Sequence, residues 1–226
     1  MKNSLKLLVC SVFLTTTVLA QSVISVVDKM KLNSDQKVFI EKLLPAINDI
    51  HEKYQKTYEK AEVIIDMSKP SEAQSQWLSK QLCKYDANTN EALLQALKPF
   101  PQSITLAQAS IESGWGSSRF FREGNNIFGV HAFDSSVPRM KAEDTNHGHT
   151  VWVRKYATLD GSIAGYYYFL ATKRAFKEFR KLKMKSRQNP FKISTGLFRY
   201  SALGDKYSEM INEAIKYHRF NLADSR

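Results

Sequence analysis

Cysteine is nearly missing from this 226-residue chain: Cys10 and Cys83 are its two copies. That excludes a disulfide framework and any zinc ribbon or finger built on paired cysteines. Nine glycines and six prolines leave no room for a fibrous or low-complexity chain, and no internal repeat recurs at solenoid periods. Past residue 20 no apolar run approaches the roughly 20 residues needed to cross a bilayer. Acidic residues are outnumbered, 22 Asp and Glu against 33 Lys and Arg, for a net charge of +11. Phosphate loops, dinucleotide fingerprints, HExxH and G-x-S-x-G are all absent, so nucleotide, zinc-protease and serine-hydrolase chemistry have no local signature.

The first twenty residues have the form of a signal peptide. Lys2 and Lys6 precede an apolar centre from Leu5 to Leu14, and Val18-Leu19-Ala20 offers a small-residue cleavage site before Gln21. Export into the periplasm or the medium is the expectation, with no stable membrane insertion after cleavage. Cleavage removes Cys10 and leaves Cys83 on a predicted helix as a small core residue. A basic exported chain is drawn to anionic polymers. Acidic wall peptides and polymers fit that compartment, whereas nucleic acid is not expected as a partner. The same charge also keeps a protein soluble.

Residues 34–66 carry an apolar stripe, Phe39, Leu43, Ile47, Ile50, Tyr54, Tyr58, Ala61 and Ile65, at steps of three and four. It predicts a helix capped by Ser34, kinked or broken at Pro45 and ended by Lys69-Pro70. Ser71-Glu72-Ala73-Gln74 is a capping-box pattern opening a second helix with Trp77, Leu78, Leu82 and Tyr85 on its apolar face. Leu93, Leu94 and Leu97 mark a short third helix before Pro99. Residues 21–98 thus read as a helical extension supporting a catalytic region over 99–226. Ser103 is the candidate cap of a helix running to Glu112-Ser113, and Gly114 the left-handed residue that closes it. Strand-like runs at about 138–144 and 149–156 flank Asn146-His147-Gly148, predicting a hairpin. Helices return at about 160–187, with Asp160 as cap, and near 205–218. The fold class is α+β, mostly α.

Four of the nine glycines fall in LAQASIESGWGSSRFFREGNNIFGV, residues 106–130. Glu112 ends a predicted buried helix beside Leu106, Ala109 and Trp115. Desolvation there raises a carboxyl pKa, as a general acid near neutral pH requires. Gly114 and Gly116 let the backbone turn tightly beside a ligand, and Trp115 offers a flat apolar face to a sugar ring. Glu123 is expected to pair with Arg119 or Arg122. His147-Gly-His149 beside Glu143 and Asp144 sits at a predicted turn, which reads as a solvated loop and not a metal site. The basic run Lys173–Arg187 reads as a solvated helix face.

The segment resembles the signature of the glycoside hydrolase family 73 glucosaminidases, A-x-x-E-S-G-W-G followed by N-x-F-G. The helical prefix, SSRFFREGNNIFG and YSALGDKY resemble the Bax protein branch of that family. The resemblance implies a lysozyme-like fold with a small β-hairpin lobe, a glycan cleft and no metal or organic cofactor. It makes Glu112 the general acid and Glu143, or Asp144 beside it, a candidate second acid on the hairpin. Tyr156, after the hairpin, and Tyr200 and Tyr207 match family tyrosines, of which one is expected to line the cleft and orient the acetamido group or water, Tyr200 and Tyr207 being the preferred candidates. Asn125, Asn126 and Phe128 shape the cleft floor. The implied substrate is the glycan strand of peptidoglycan, cut after N-acetylglucosamine by a monomer. Muramidase, lytic transglycosylase and non-catalytic glycan binding remain as rivals.

Overall fold

A computed structural model describes residues 21–146 and 149–224, without the side chains of residues 143–146 and 149. The expected signal segment and the tip of the hairpin at His147-Gly148 lie outside the described residues. After a helical stretch at 21–27, the chain forms α1 (Ser34–Asp66), α2 (Glu72–Lys84), α3 (Asn90–Leu97), α4 (Gln102–Ser113) and α5 (Arg119–Gly124). The strands β1 (Arg139–Asn146) and β2 (His149–Arg154) follow. Then come α6 (Leu159–Thr172), α7 (Lys177–Lys185), α8 (Pro190–Ile193) and α9 (Asp205–His218), with short 3-10 turns between and after them. The architecture is mostly helical with one two-stranded antiparallel sheet.

The helices begin where polar side chains take up free N–H groups, and several caps differ from expectation. Asn33, not Ser34, caps α1, in a reciprocal box with Gln36. The capping box of α2 forms between Ser71 and Gln74 as read. Thr158 caps α6 through Gly161, so Asp160 lies inside the first turn and is not the cap. Pro45 neither breaks nor ends α1. It is exposed, so water can reach the carbonyl four residues back that loses its partner. The region 160–187 is interrupted at Lys173, whose extended backbone separates α6 from α7.

One apolar cluster holds most elements together. Phe39, Leu43 and Ile47 of α1 share it with Ile104 and Ala107 of α4, Ile163 and Tyr166 of α6, and Ile211 and Ile215 of α9. Helix α4 is surrounded: ten of its twelve residues are buried, so an acid at its end is carried by the most shielded helix in the molecule. A second cluster joins Tyr58 and Ala61 to Tyr85, Leu93, Leu97 and Ala171. Trp77, Leu78 and Leu82 pack on it only partly, and Cys83 is exposed. The expectation of a core cysteine fails because α2 lies on the surface, with no fully buried residue. The basic face of α7 also departs from expectation: Lys183 is 2% exposed and donates to the carbonyls of Lys98 (2.6 Å) and Ala96 (3.4 Å) at the end of α3. Among the described residues no helix is long and apolar enough to cross a membrane.

Candidate active site

Helix α4 ends at a left-handed Gly114, φ 55° and ψ 48°, and the next residue, Trp115, is also left-handed at φ 57°. Two successive residues of this kind turn the chain sharply away and leave Glu112 at the helix end. Gly116 permits the close approach that follows, since a Cβ there would lie 3.0 Å from the Phe39 ring. Trp115 packs against Phe39, His218 and Phe220, at centroid distances of 5.8, 4.8 and 6.2 Å. Phe39 and Phe220 are core residues, His218 is half-buried, and none of the three belongs to the group around Glu112.

Ser103 does not cap α4. Its N–H and Oγ instead donate to the carboxylate of Asp224, at 2.8 and 2.6 Å, across 121 residues of sequence. The N-terminal position, Pro101, supplies no side-chain cap. The helix that carries the acid is therefore tied at its start to the end of the chain.

At its other end, Glu112 Oε1 accepts a hydrogen bond of 2.5 Å from the Tyr207 hydroxyl on α9. Burial raises the Glu112 pKa, and the Tyr207 bond opposes that shift. The negative end of the helix dipole also disfavours the ionised form. Burial raises the Tyr207 hydroxyl too, helped by the nearby carboxylate, so the tyrosine stays a neutral donor. Tyr207 Oη in turn accepts from Gln108 Nε2 at 2.8 Å, and Gln108 Oε1 accepts from Tyr166 on α6. Tyr200 and Tyr207 stack with centroids 5.4 Å apart and planes 5° apart. Tyr200 Oη donates to the Phe128 carbonyl at 2.8 Å, and the Phe128 ring stacks on Tyr166 at 3.9 Å. These side chains close a ring of contacts beside the acid.

The loop before the hairpin completes the wall. Asn126 is buried, donates to the carbonyls of Val130 (2.9 Å) and Arg154 (2.8 Å), and accepts from the Val130 N–H (3.1 Å). It closes the turn holding Phe128 and Gly129 and fastens it to β2. Gly129 is left-handed at φ 64°, and a Cβ on it would stand 4.0 Å from Glu112 Oε2. Asn125 is the left-handed residue ending α5 and donates to the Tyr156 carbonyl at 3.0 Å. Tyr156 lies across Gly165 of α6, where a Cβ would be 2.6 Å from its hydroxyl oxygen. That oxygen is buried without a hydrogen-bond partner among the described residues. Cavities of about 240 and 590 Å³ meet at Tyr156, Tyr168 and Arg154. A cavity of about 690 Å³ elsewhere touches α4 only through Ile111 and contains none of the expected site residues.

Glu143 and Asp144 lie in β1, where the pairing register with β2 is interrupted between Lys141 and Thr145. Their side chains fall outside the described residues. Glu123 pairs with Arg119 at 3.4 Å. Among the described residues no group of His, Cys, Asp or Glu is placed to hold a metal ion.

The structure thus brings Glu112, Tyr207, Tyr200 and Phe128 together, and gives Asn126 and Trp115 internal partners. Gln108 and Tyr166 escaped the sequence reading. Gln108 stands four residues before Glu112, one turn back on the same helix face, and that spacing was the available signal.

The sequence model of the family described as mannosyl-glycoprotein endo-beta-N-acetylglucosaminidase matches residues 73–220. The chain is 28% identical over 138 residues to Protein bax of Escherichia coli (strain K12), covering 57% of this chain and 48% of that protein. It spans about half the length of this curated relative. Among solved structures, the catalytic domain of the autolysin Auto from Listeria monocytogenes aligns at 17% identity and TM-score 0.47, over 72% of this chain and 94% of that one. A peptidoglycan hydrolase from Sphingomonas sp. A1 aligns at 19% and 0.45, over 62% and 91%. A C-terminally truncated glycoside hydrolase domain of FlgJ from Salmonella typhimurium aligns at 21% and 0.42, over 61% and 94%.

Proposed function

Because the chain belongs to the mannosyl-glycoprotein endo-β-N-acetylglucosaminidase family of glycosidases, we propose that it is an exported peptidoglycan hydrolase that cuts the glycan strand after N-acetylglucosamine. The observation that carries the reading is the shielded carboxyl of Glu112, raised by burial and held through one oxygen by Tyr207. A carboxyl whose pKa is raised holds its proton to higher pH than an exposed one, and can donate it to the glycosidic oxygen as the C–O bond breaks. The leaving sugar takes the proton and the bond's electrons, and Glu112 is left as a carboxylate on which Tyr207 is already donating.

Glu143 is proposed as the second acid, a base that activates water from the hairpin side; the alternative is attack by the substrate's own acetamido oxygen. Tyr200 positions the Phe128–Gly129 turn, and Tyr156 and Phe128 contribute to the cleft wall. The net charge of +11 suits a polymer bearing acidic peptides, and the N-terminal pattern suits export. Residues 21–98 act as a support for the catalytic region 99–226, and the enzyme works as a monomer without a cofactor.

The test treats purified peptidoglycan with the protein and with Glu112→Gln, reduces the products with borohydride and identifies the new ends by mass spectrometry. Reduced N-acetylglucosamine ends are expected, with Glu112→Gln about 100- to 10,000-fold slower, the range of general acid catalysis. Reduced muramic acid or anhydro-muramic ends would reassign the bond. Unimpaired cleavage by Glu112→Gln would remove Glu112 from the chemistry.

A further inference from the structure

Gln108 and Tyr166 are both fully shielded from solvent, and neither is placed to touch a sugar. Their hydrogen bonds nevertheless have a fixed direction. An amide donates only from nitrogen and accepts only at oxygen. The Tyr166 hydroxyl donates to Gln108 Oε1, which turns Gln108 Nε2 toward Tyr207. Tyr207 Oη, already accepting from that nitrogen, points its one proton at Glu112 Oε1. Every donor in the row Tyr166, Gln108, Tyr207 faces the carboxylate, and the row is anchored in the core by the stack of Tyr166 on Phe128.

We propose that Gln108 and Tyr166 are positioning residues that orient the Tyr207 hydroxyl, hold Glu112 Oε1 as a constant acceptor, and so assign the acidic proton to Oε2. Oε2 is the oxygen that faces Gly129, where the missing Cβ leaves space. The proton leaves from Oε2 to the glycosidic oxygen; the row itself transfers none and stabilises the carboxylate that forms. The inference rests on Glu112 being the general acid. The titratable groups facing Glu112 are Tyr207 on α9, Tyr200 in the segment before it and Tyr166 on α6; the hairpin carboxyls fall outside the described residues.

The test uses the full chain labelled with ¹³C at glutamate carboxyls, the Glu112 resonance being assigned by its loss in Glu112→Gln. Its titration midpoint is compared in wild type, Gln108→Leu and Tyr166→Phe. Losing an oriented donor to a charged acceptor disfavours ionisation, so the midpoint is expected to rise by about one pH unit in Gln108→Leu and by less in Tyr166→Phe. On peptidoglycan, kcat should fall several-fold at unchanged KM, and the basic limb of the pH profile should move up by the same amount. Tyr166→Phe keeps the aromatic stack, so it carries the test if Gln108→Leu does not fold. An unchanged Glu112 midpoint in Tyr166→Phe overturns the proposal. The titration needs no substrate, so it stands apart from the assignment of the reaction: a chain with the shifted midpoint but no new reducing ends would sink the proposed function and leave the positioning of the Glu112 carboxyl by the row intact.

Discussion

Replacing Asp224 should loosen the helix that carries the acid, although the two residues stand at opposite ends of it. Asp224→Ala removes both acceptors of Ser103, whose N–H and Oγ are held at 2.8 and 2.6 Å and whose residue is fully buried. Each stranded donor costs about 1–3 kcal/mol, while removing a buried charge returns part of that. The expected net loss is about 2–4 kcal/mol, or about 4–16 °C in Tm for a chain of this size. Asp224 also carries a pH signature. Burial pushes its pKa from 3.8 up to about 6, against the Ser103 bonds that pull it down. The folded state therefore binds this proton more tightly than the unfolded chain. Its contribution is full below about pH 4 and is lost as pH rises through about 6, a swing of at most ~3 kcal/mol. Urea denaturation of wild type and Asp224→Asn at pH 4, 5, 6 and 7 isolates it, because the amide does not titrate. The stability difference should move against the wild type across that window. A flat difference, together with a Tm loss under about 1 °C in Asp224→Ala, would refute the claim that Asp224 caps α4.

Gly129→Ala should cost about 1 kcal/mol, the usual penalty of a left-handed non-glycine, and its methyl would face Glu112 Oε2; the expected result in thermal melts and turnover assays is a larger loss of kcat than of stability. Lys183 is buried and its pKa is pulled down to about 7, mainly by burial. A depressed lysine stabilises the fold fully above its unfolded value of 10.5 and loses that contribution as pH falls through about 7. Wild type should therefore gain stability relative to Lys183→Met as pH rises from about 7 to about 10, measured by denaturant midpoints; a constant difference would show that Lys183 keeps its ordinary lysine pKa in the folded chain.

Local chemistry was legible in the sequence wherever one segment decides the outcome. The left-handed Gly114, the Ser71–Gln74 box and the last helix at 205–218 follow from short patterns, and the structure has each of them. Asn33 is equally legible, since Asn-x-x-Gln is a capping-box pattern, and it stands next to Ser34, a cap residue of the same kind. Pro45 does not end α1, since it lies on the exposed side of a helix whose apolar stripe continues on both sides of it. The remaining differences come from contacts between distant segments. Nothing near Ser103 announces that an aspartate 121 residues away will accept from it. Nothing near Lys183 announces that the end of α3 needs a donor, or that α7 turns one lysine inward while its neighbours stay wet. In the site, ESGWG marked Glu112. The partner of Glu112 among the C-terminal tyrosines, Tyr207 and not Tyr200, is set by how α9 lies along α4.

That dependence has a consequence for how the acid is made. The motif alone supplies a glutamate at the end of a helix, where an exposed carboxyl would ionise as usual. Two effects convert it, and neither is local. Shielding comes from packing α4 among α1, α6 and α9, and raises the pKa. Orientation comes from Tyr207, 95 residues downstream, and limits that rise. Asp224, beyond it, ties the start of the same helix. Both ends of α4 are thus secured by the last twenty residues, and contacts of such sequence separation form only when most of the chain is in place. A chain that ends at residue 204 would keep A-x-x-E-S-G-W-G, N-x-F-G and α1, and lose both ties. It should therefore carry Glu112 as an ordinary surface carboxylate, and the same glutamate titration would show that as a midpoint near 4.5.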